Sequence, residues 1–178
     1  MLLHRFGISF DCHSPDIDET PLEDESPLDL VIRLAVQKGK SVSLEHPSAV
    51  VIGSDQMAVF DGRIIGKPGG KQAAIEQLTS FSEQTVEFLT AVSVQFLNGG
   101  FSEWHVDHTL VKFRTLQAQE IERYLEEEKP FDCAGAFKAE SLGITLFERI
   151  SSEDPSALIG LPLIQTAAML RRAGLLLP

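Results

Sequence analysis

Cysteine, tryptophan, tyrosine and positive charge are all scarce in this chain. Its 178 residues include two cysteines, Cys12 and Cys133, one tryptophan and one tyrosine. Two thiols so far apart in sequence make neither a disulfide framework nor a zinc site, and both are expected as reduced, partly buried thiols. The five histidines (His4, His13, His46, His105, His108) show no metal-ligand spacing beyond His105 and His108. That pair falls in a strand-like segment, on opposite faces, so structural or surface roles are expected for all five. Apolar runs are far too short to span a membrane. The start, Met1-Leu2-Leu3-His4-Arg5-Phe6, lacks a signal peptide's long apolar region and small-residue cleavage site. The expected setting is therefore cytoplasmic, away from membranes.

Fifteen basic side chains stand against twenty-six acidic ones, a net charge of −11. A field of that sign repels nucleic acid, and with a single tryptophan and a single tyrosine beside it no nucleic-acid partner is expected. An anionic small molecule would have to be attracted locally, by a few placed lysines and a divalent cation.

Against these absences stands a 43% hydrophobic content, enough for a substantial core. No repeat, low-complexity tract or linker interrupts the chain, and residues 1–178 read as a single domain or two small lobes. Ile8 to Phe10 reads as a strand, followed by an acidic loop, Asp16-Ile17-Asp18-Glu19-Thr20-Pro21. Ser26-Pro27, with Asp29 in the first turn, is a strong helix start. On that helix Val31, Leu34, Ala35 and Lys38 share a face, so Lys38 either snorkels to water or points inward at an anion. Further helices are expected over Lys71–Phe81 and Ala118–Glu128, and a last one running from Gly160-Leu161-Pro162-Leu163 to Arg171-Arg172, where Gly174 stops it. Thr85–Leu97 and Phe101–Arg114 read as long strands joined through Asn98-Gly99-Gly100, and Ile144–Ile150 as another. The alternation of elements points to an α/β fold with a long-stranded, mixed sheet.

Val50-Val51-Ile52-Gly53-Ser54-Asp55-Gln56 carries the most chemical information. Ala49 to Ile52 reads as a buried strand ending in a small-residue corner that holds Asp55 at its mouth. A hairpin through Asp61-Gly62 then returns the chain to Lys67, between Gly66 and Pro68. A carboxylate and an ammonium delivered by rigid elements suit a site handling phosphate and a metal ion. Equally, Asp55 could cap a turn and Lys67 could be a solvated loop residue.

The ordered set of Asp18-Glu19-Thr20-Pro21, Arg33-Leu34-Ala35 with Lys38, Gly53-Ser54-Asp55-Gln56, Gly66-Lys67-Pro68, Cys133-Ala134-Gly135-Ala136-Phe137-Lys138-Ala139-Glu140 and Gly160-Leu161-Pro162-Leu163 resembles the Maf family of nucleoside triphosphate pyrophosphatases. The strings are individually unspecific; their order and spacing are not. The resemblance is closest to the bacterial branch acting on 7-methyl-GTP. It implies a Maf/ITPase-like arrangement, two lobes around a central cleft. It also implies a reaction dependent on a divalent cation (Mg2+ or Mn2+) that splits a nucleoside triphosphate into monophosphate and diphosphate, in the service of nucleotide house-cleaning. A homodimer is open to the chain, since family members often dimerise.

Carried over by position, Asp55 matches the family's proton acceptor, and Glu19, Lys38, Lys67, Lys138 and Glu140 match other polar site residues. Asp55 and Glu19 are the candidates to hold the metal. Gln56 and Glu140 match positions that separate the 7-methyl-GTP branch from relatives acting on dTTP and UTP. Chemically, a carboxylate such as Asp55 can take the proton of an attacking water, and three lysines can offset charge on the departing diphosphate. One carboxylate at Glu140 can accept both N1–H and the amino group of guanine, more strongly once N7-methylation has made the base cationic. The same chemistry on dTTP, UTP or CTP, or nucleotide binding without turnover, are the competing readings.

The family normally opens with a strand and a serine-, proline- and arginine-containing phosphate loop ahead of the position of Leu2-Leu3. The resemblance thus implies a chain shortened at its N-terminus, either because its start is assigned too far downstream or because it is an impaired protein; the filling of every later motif favours the first. Gly39 and Ala136 are further departures, alanine and serine being commoner there.

Overall fold

The structure is a computed structural model describing residues 2–177. The order of elements is a 3-10 turn (Leu2–Phe6), α1 (Pro27–Glu45), β1 (Val51–Phe60), β2 (Arg63–Ile65), α2 (Lys71–Phe81), β3 (Thr85–Phe96), β4 (Phe101–Phe113), α3 (Ala118–Glu128), β5 (Phe147–Ser151) and α4 (Leu163–Arg172), with short 3-10 turns at Ala134–Ala136, Leu142–Leu146 and Ala157–Ile159. The strands form one sheet in the order β2-β1-β3-β4-β5. β1 and β2 are antiparallel, with Ala58 opposite Ile65, and so are β4 and β5, with Val111 opposite Ile150 and a register shift between Lys112 and Phe113. This is the expected mixed α/β fold.

The chain divides into two compact units. The first comprises residues 2–56, Thr90–Asp107 and 154–177. Ser26 caps α1 as expected: its hydroxyl accepts from Asp29 N at 3.1 Å, with Pro27 in the first turn. Leu30, Val31, Leu34 and Ala35 are buried on the inner face of α1. Val92, Val94, Leu161, Leu163, Met169 and Leu170 form a further apolar cluster, against which Leu2, Leu3, Phe6 and Ile8 pack. α4 ends where Gly174 adopts a φ of +98° and Leu175 N returns to Leu170 O at 3.0 Å.

The second unit comprises Met57–Leu89 and His108–Glu153. Its core is aromatic: Phe81, Phe113, Phe137 and Phe147 meet edge-on or tilted at centroid distances of 4.8–5.7 Å. Ala74 and Leu78 of α2 and Ile121, Tyr124 and Leu125 of α3 are buried, as their helical spacing predicts. A capping box between Gln117 and Glu120 starts α3, and Lys129 in the left-handed region ends it before Pro130.

Four expectations fail. Ile8–Phe10 is not a strand: residues 8–22 contain no regular element. Ile8 packs on the core and Phe10 stacks near His4 with centroids 5.0 Å apart, so the alternation reports burial without a ladder partner. The small-residue corner after Ile52 does not exist, because β1 continues through Gly53 and Asp55 to Phe60. Ile144 lies in a 3-10 turn closed by Ile144 N donating to Ser141 O, and β5 begins only at Phe147. Cys12 is exposed, whereas Cys133 is partly buried and its thiol pKa is pushed up by that burial.

Candidate active site

β1 and α1 cross at two glycines. A Cβ on Gly53 would lie 2.3 Å from Ala35 O and 2.5 Å from Gly39 N, so only glycine lets strand and helix approach this closely. That approach, not a turn, is why the sequence is small here. It places the ammonium of Lys38 against the carboxylate of Asp55, Nζ to Oδ1 2.7 Å. The same Nζ lies 2.7 Å from Glu19 Oε1. Lys38 therefore faces inward, and the first unit brings three of the expected site residues together. Burial disfavours the Lys38 charge, but the bonds to Asp55 and Glu19 outweigh it and raise its pKa above the ordinary lysine value.

Glu19 reaches this point on an irregular loop that Arg33 ties to α1. Arg33 grips Glu25 through both carboxylate oxygens, at 2.6 and 2.8 Å, and donates to Thr20 O at 3.0 Å. The Arg33 hydrogen bond pulls the Glu25 carboxyl down to about 2. Asp18 closes the loop by accepting from Thr20 N at 2.9 Å. The Arg33-Leu34-Ala35 string marked this place, but not the partner of Arg33.

Gln56, next along β1, is turned the other way. Its amide Nε2 donates to Thr90 Oγ1 (2.8 Å), Ala157 O (3.0 Å) and Leu158 O (3.2 Å). Two of these three are carbonyls, which can only accept, so the nitrogen must be the end facing them. Ser54 likewise donates to Ala91 O at 2.7 Å and Gly160 O at 3.1 Å. The receiving turn is held by buried Asp154, which accepts from Ser156 N at 2.9 Å, the Ser156 hydroxyl, and Ile164 N at the start of α4. Asp107 accepts in turn from Asp154 N at 3.1 Å. Nothing in the sequence marks the burial of the Asp154 carboxylate.

In the second unit, Lys67 is exposed. Its segment is fixed by Gly66 O, which accepts from Gln77 Nε2, and by Gly69 N, which donates to Phe131 O, each at 3.0 Å. Lys138 Nζ lies 3.7 Å from Glu128 Oε1, and Glu140 is exposed two residues further on.

Among the described residues no group of three or more His, Cys, Asp or Glu side chains converges as a metal site. The carboxylates that do converge, Asp55 and Glu19, already share one cation, the Lys38 ammonium. Two hard oxygen donors fit Mg2+ or Mn2+, which take few protein carboxylates when phosphate oxygens and water complete the shell.

Residues 1–173 match the family described as Maf-like protein. The chain belongs to the Maf family. Among its relatives is a protein of Aromatoleum aromaticum named 7-methyl-GTP pyrophosphatase, 51% identical over 178 residues, covering all of this chain and 92% of the relative. A protein of Vibrio parahaemolyticus with the same name is 48% identical over 173 residues, covering 97% of this chain and 89% of the relative. One from Bordetella pertussis is 51% identical over 174 residues, covering 98% and 86%. The strings read from the sequence thus belong to a Maf protein along nearly its whole length, and no helix among the described residues is long and apolar enough to cross a membrane.

Proposed function

We propose that this Maf protein is a nucleoside triphosphate pyrophosphatase that hydrolyses 7-methyl-GTP to 7-methyl-GMP and diphosphate. The observation that carries the reading is the convergence of Glu19 and Asp55 on Lys38, at 2.7 Å each, with Asp55 in the position of the family's proton acceptor. Relatives bearing that substrate in their names support the choice of nucleotide.

Water attacks the α-phosphorus, the new P–O bond forms as the bond to the bridging oxygen breaks, and diphosphate leaves. The proton lost by the water goes to the Asp55 carboxylate, a transfer that typically contributes about 10²–10⁴-fold. Lys38 orients Asp55 and holds the loop bearing Glu19. Lys67 and Lys138 are the proposed phosphate-facing cations, supplying the local positive charge that a −11 background demands. Asp55 and Glu19 would hold a divalent cation, whose charge would offset that of the phosphates.

Glu140 is the proposed reader of the base: its carboxylate accepts the paired donors of guanine and attracts the positive charge of the N7-methylated ring, whereas the carbonyl edge of a uracil or thymine is repelled. Gln56 enters selection differently from a free amide. Its nitrogen is committed to the turn at residues 157–158, so it contributes through its carbonyl end and through the placement of that turn.

Diphosphate release from 7-methyl-GTP, GTP, dTTP, UTP and CTP with Mg2+ or Mn2+ tests the reading. A clear preference for 7-methyl-GTP, lost with Asp55→Asn, is expected. Binding of nucleotide without release, or a preference for a pyrimidine nucleotide, overturns it.

A further inference from the structure

Residues 138–143 carry both Lys138 and Glu140, and they form a closed turn. Ser141 N donates to Lys138 O at 3.3 Å. Gly143 packs so tightly behind it that a Cβ there would stand 2.3 Å from Lys138 O and 3.0 Å from Lys138 N. Two side chains of α3 grip this turn from below. The hydroxyl of Tyr124 accepts from Lys138 N at 3.2 Å. Glu128, one helical turn later on the same face, accepts from Leu142 N at 3.1 Å through Oε2 and also bonds the Ser141 hydroxyl. Its Oε1 lies 3.7 Å from the Lys138 ammonium.

The start and the end of the 138–142 segment are thus tied by backbone amides to one rigid helix. Glu140, midway between the ties, is exposed and has its backbone direction set by them. The Glu128 side chain is only 12% exposed, so most of it serves the turn rather than the surface. The Ser141 hydroxyl, ahead of the Leu142 amide and Lys138, holds the Glu128 carboxyl below the usual range, which keeps it an acceptor.

We infer that Tyr124 and Glu128 are positioning residues for substrate selection: they fix the turn that presents the Glu140 carboxylate and the Lys138 ammonium. The inference rests on the reading of Glu140 as the residue that receives the base. An unanchored carboxylate attracts any donor, while a paired acceptance of two adjacent donors requires its plane and direction to be set in advance. Neither residue is expected to touch the reacting atoms.

The test compares Tyr124→Phe, Glu128→Ala, Glu128→Gln, Gly143→Ala and Glu140→Gln in the full chain. Two quantities are read: kcat/KM for 7-methyl-GTP against UTP, and the ratio of Kd for their non-hydrolysable α,β-methylene analogues, which needs no turnover. Each lost tether is expected to lower the preference for 7-methyl-GTP about two- to tenfold, the equivalent of one hydrogen bond. The loss is expected in KM and Kd for 7-methyl-GTP, with UTP little changed. Gly143→Ala, which displaces Lys138 without removing any polar group, gives the same pattern. Glu128→Gln retains most of the preference, because its amide carbonyl still accepts from Leu142 N. Tyr124→Phe removes a single oxygen and keeps the test available should Glu128→Ala fold poorly. If Tyr124→Phe and Glu128→Ala keep the parent preference while Glu140→Gln loses it, the inference is overturned and the reading of Glu140 survives. If Glu140→Gln keeps it as well, the reading of Glu140 falls and takes the inference with it. Equal losses in Glu128→Gln and Glu128→Ala overturn the backbone-tether argument.

Discussion

Replacing Gly53 with alanine puts one methyl group where backbone already stands. The added carbon would meet Ala35 O at 2.3 Å, Gly39 N at 2.5 Å and Gly39 Cα at 2.9 Å. A carbon–oxygen contact settles at about 3.3 Å or more, so α1 and β1 must part by about 1 Å. Overpacking of this kind costs about 1–3 kcal/mol, partly offset by about 0.5–1 kcal/mol from removing a flexible glycine from a strand. The net of about 0.5–2 kcal/mol, at about 2–4 °C per kcal/mol for a chain of this size, is expected to lower Tm by about 1–8 °C in differential scanning calorimetry. The functional loss should be larger. Lys38 adjoins Gly39 and Asp55 lies just beyond Gly53, so the same retreat stretches their 2.7 Å ion pair beyond hydrogen-bond reach. Misplacement by about 1 Å can lower turnover about a hundredfold, which a diphosphate-release assay detects easily. Gly39→Ala is the control. Its Cβ would meet Ser93 Oγ at 2.7 Å and Gln95 Nε2 at 3.1 Å, side-chain atoms that donate to Ala35 O and Val36 O and would have to turn aside, while no backbone atom stands in the way. It also gains about 0.8–1 kcal/mol of helix propensity, so a smaller loss of stability than for Gly53→Ala is expected. A Gly53→Ala protein with the parent's Tm and turnover, or a Gly39→Ala protein worse than Gly53→Ala, refutes the argument.

Asp55→Asn should lower kcat by about 10²–10⁴-fold while leaving the circular dichroism spectrum in place, as read by single-turnover diphosphate release. Gln56→Leu leaves Ala157 O, Leu158 O and Thr90 Oγ1 without their shared donor; a loss of about 1–3 kcal/mol is expected in urea titration, as a lower midpoint at unchanged slope. Gln56→Glu should be worse, since it sets a carboxylate against those carbonyls. The Glu25 carboxyl is about 2 in the folded chain against an ordinary value of 4.5, so the folded state binds its proton less readily than the unfolded one. Its contribution is complete above pH 4.5 and is lost as pH falls toward 2; Glu25→Gln should flatten that limb of the stability–pH curve, measured by denaturation between those limits.

Helices were the most legible part of the fold, because their burial obeys a local period. Val31, Leu34 and Ala35 of α1, Ala74, Leu78 and Phe81 of α2, and Ile121, Tyr124 and Leu125 of α3 all lie inside as spaced. The strand errors share one cause. Ile8 and Phe10 alternate inward without a ladder, and whether a ladder forms is settled by distant partners that local pattern does not name. Gly53-Ser54 looked like a corner because small residues mark turns, but close approach of a helix selects them too. In the site, residue identity pointed to Lys38 and Asp55, but the inward lysine is taken up by Asp55 and Glu19, a pairing that the background charge did not foretell. The supporting residues stayed hidden for a similar reason. Arg33, Asp154 and Glu128 are ordinary charged residues in sequence, and only the partners that neighbouring loops fold back onto them give them meaning. Tyr124 was legible as an inward ring, but not as an acceptor for Lys138 N.

The continuity of β1 makes it a two-sided ruler. Odd positions, Gly53 and Asp55, look toward the lysine-bearing helix; even ones, Ser54 and Gln56, toward the turn ahead of α4. Drift at an even position can retune which molecule is accepted while the proton acceptor stays where it is. A one-residue deletion upstream in that strand, by contrast, would exchange the two sides and silence the protein at a stroke.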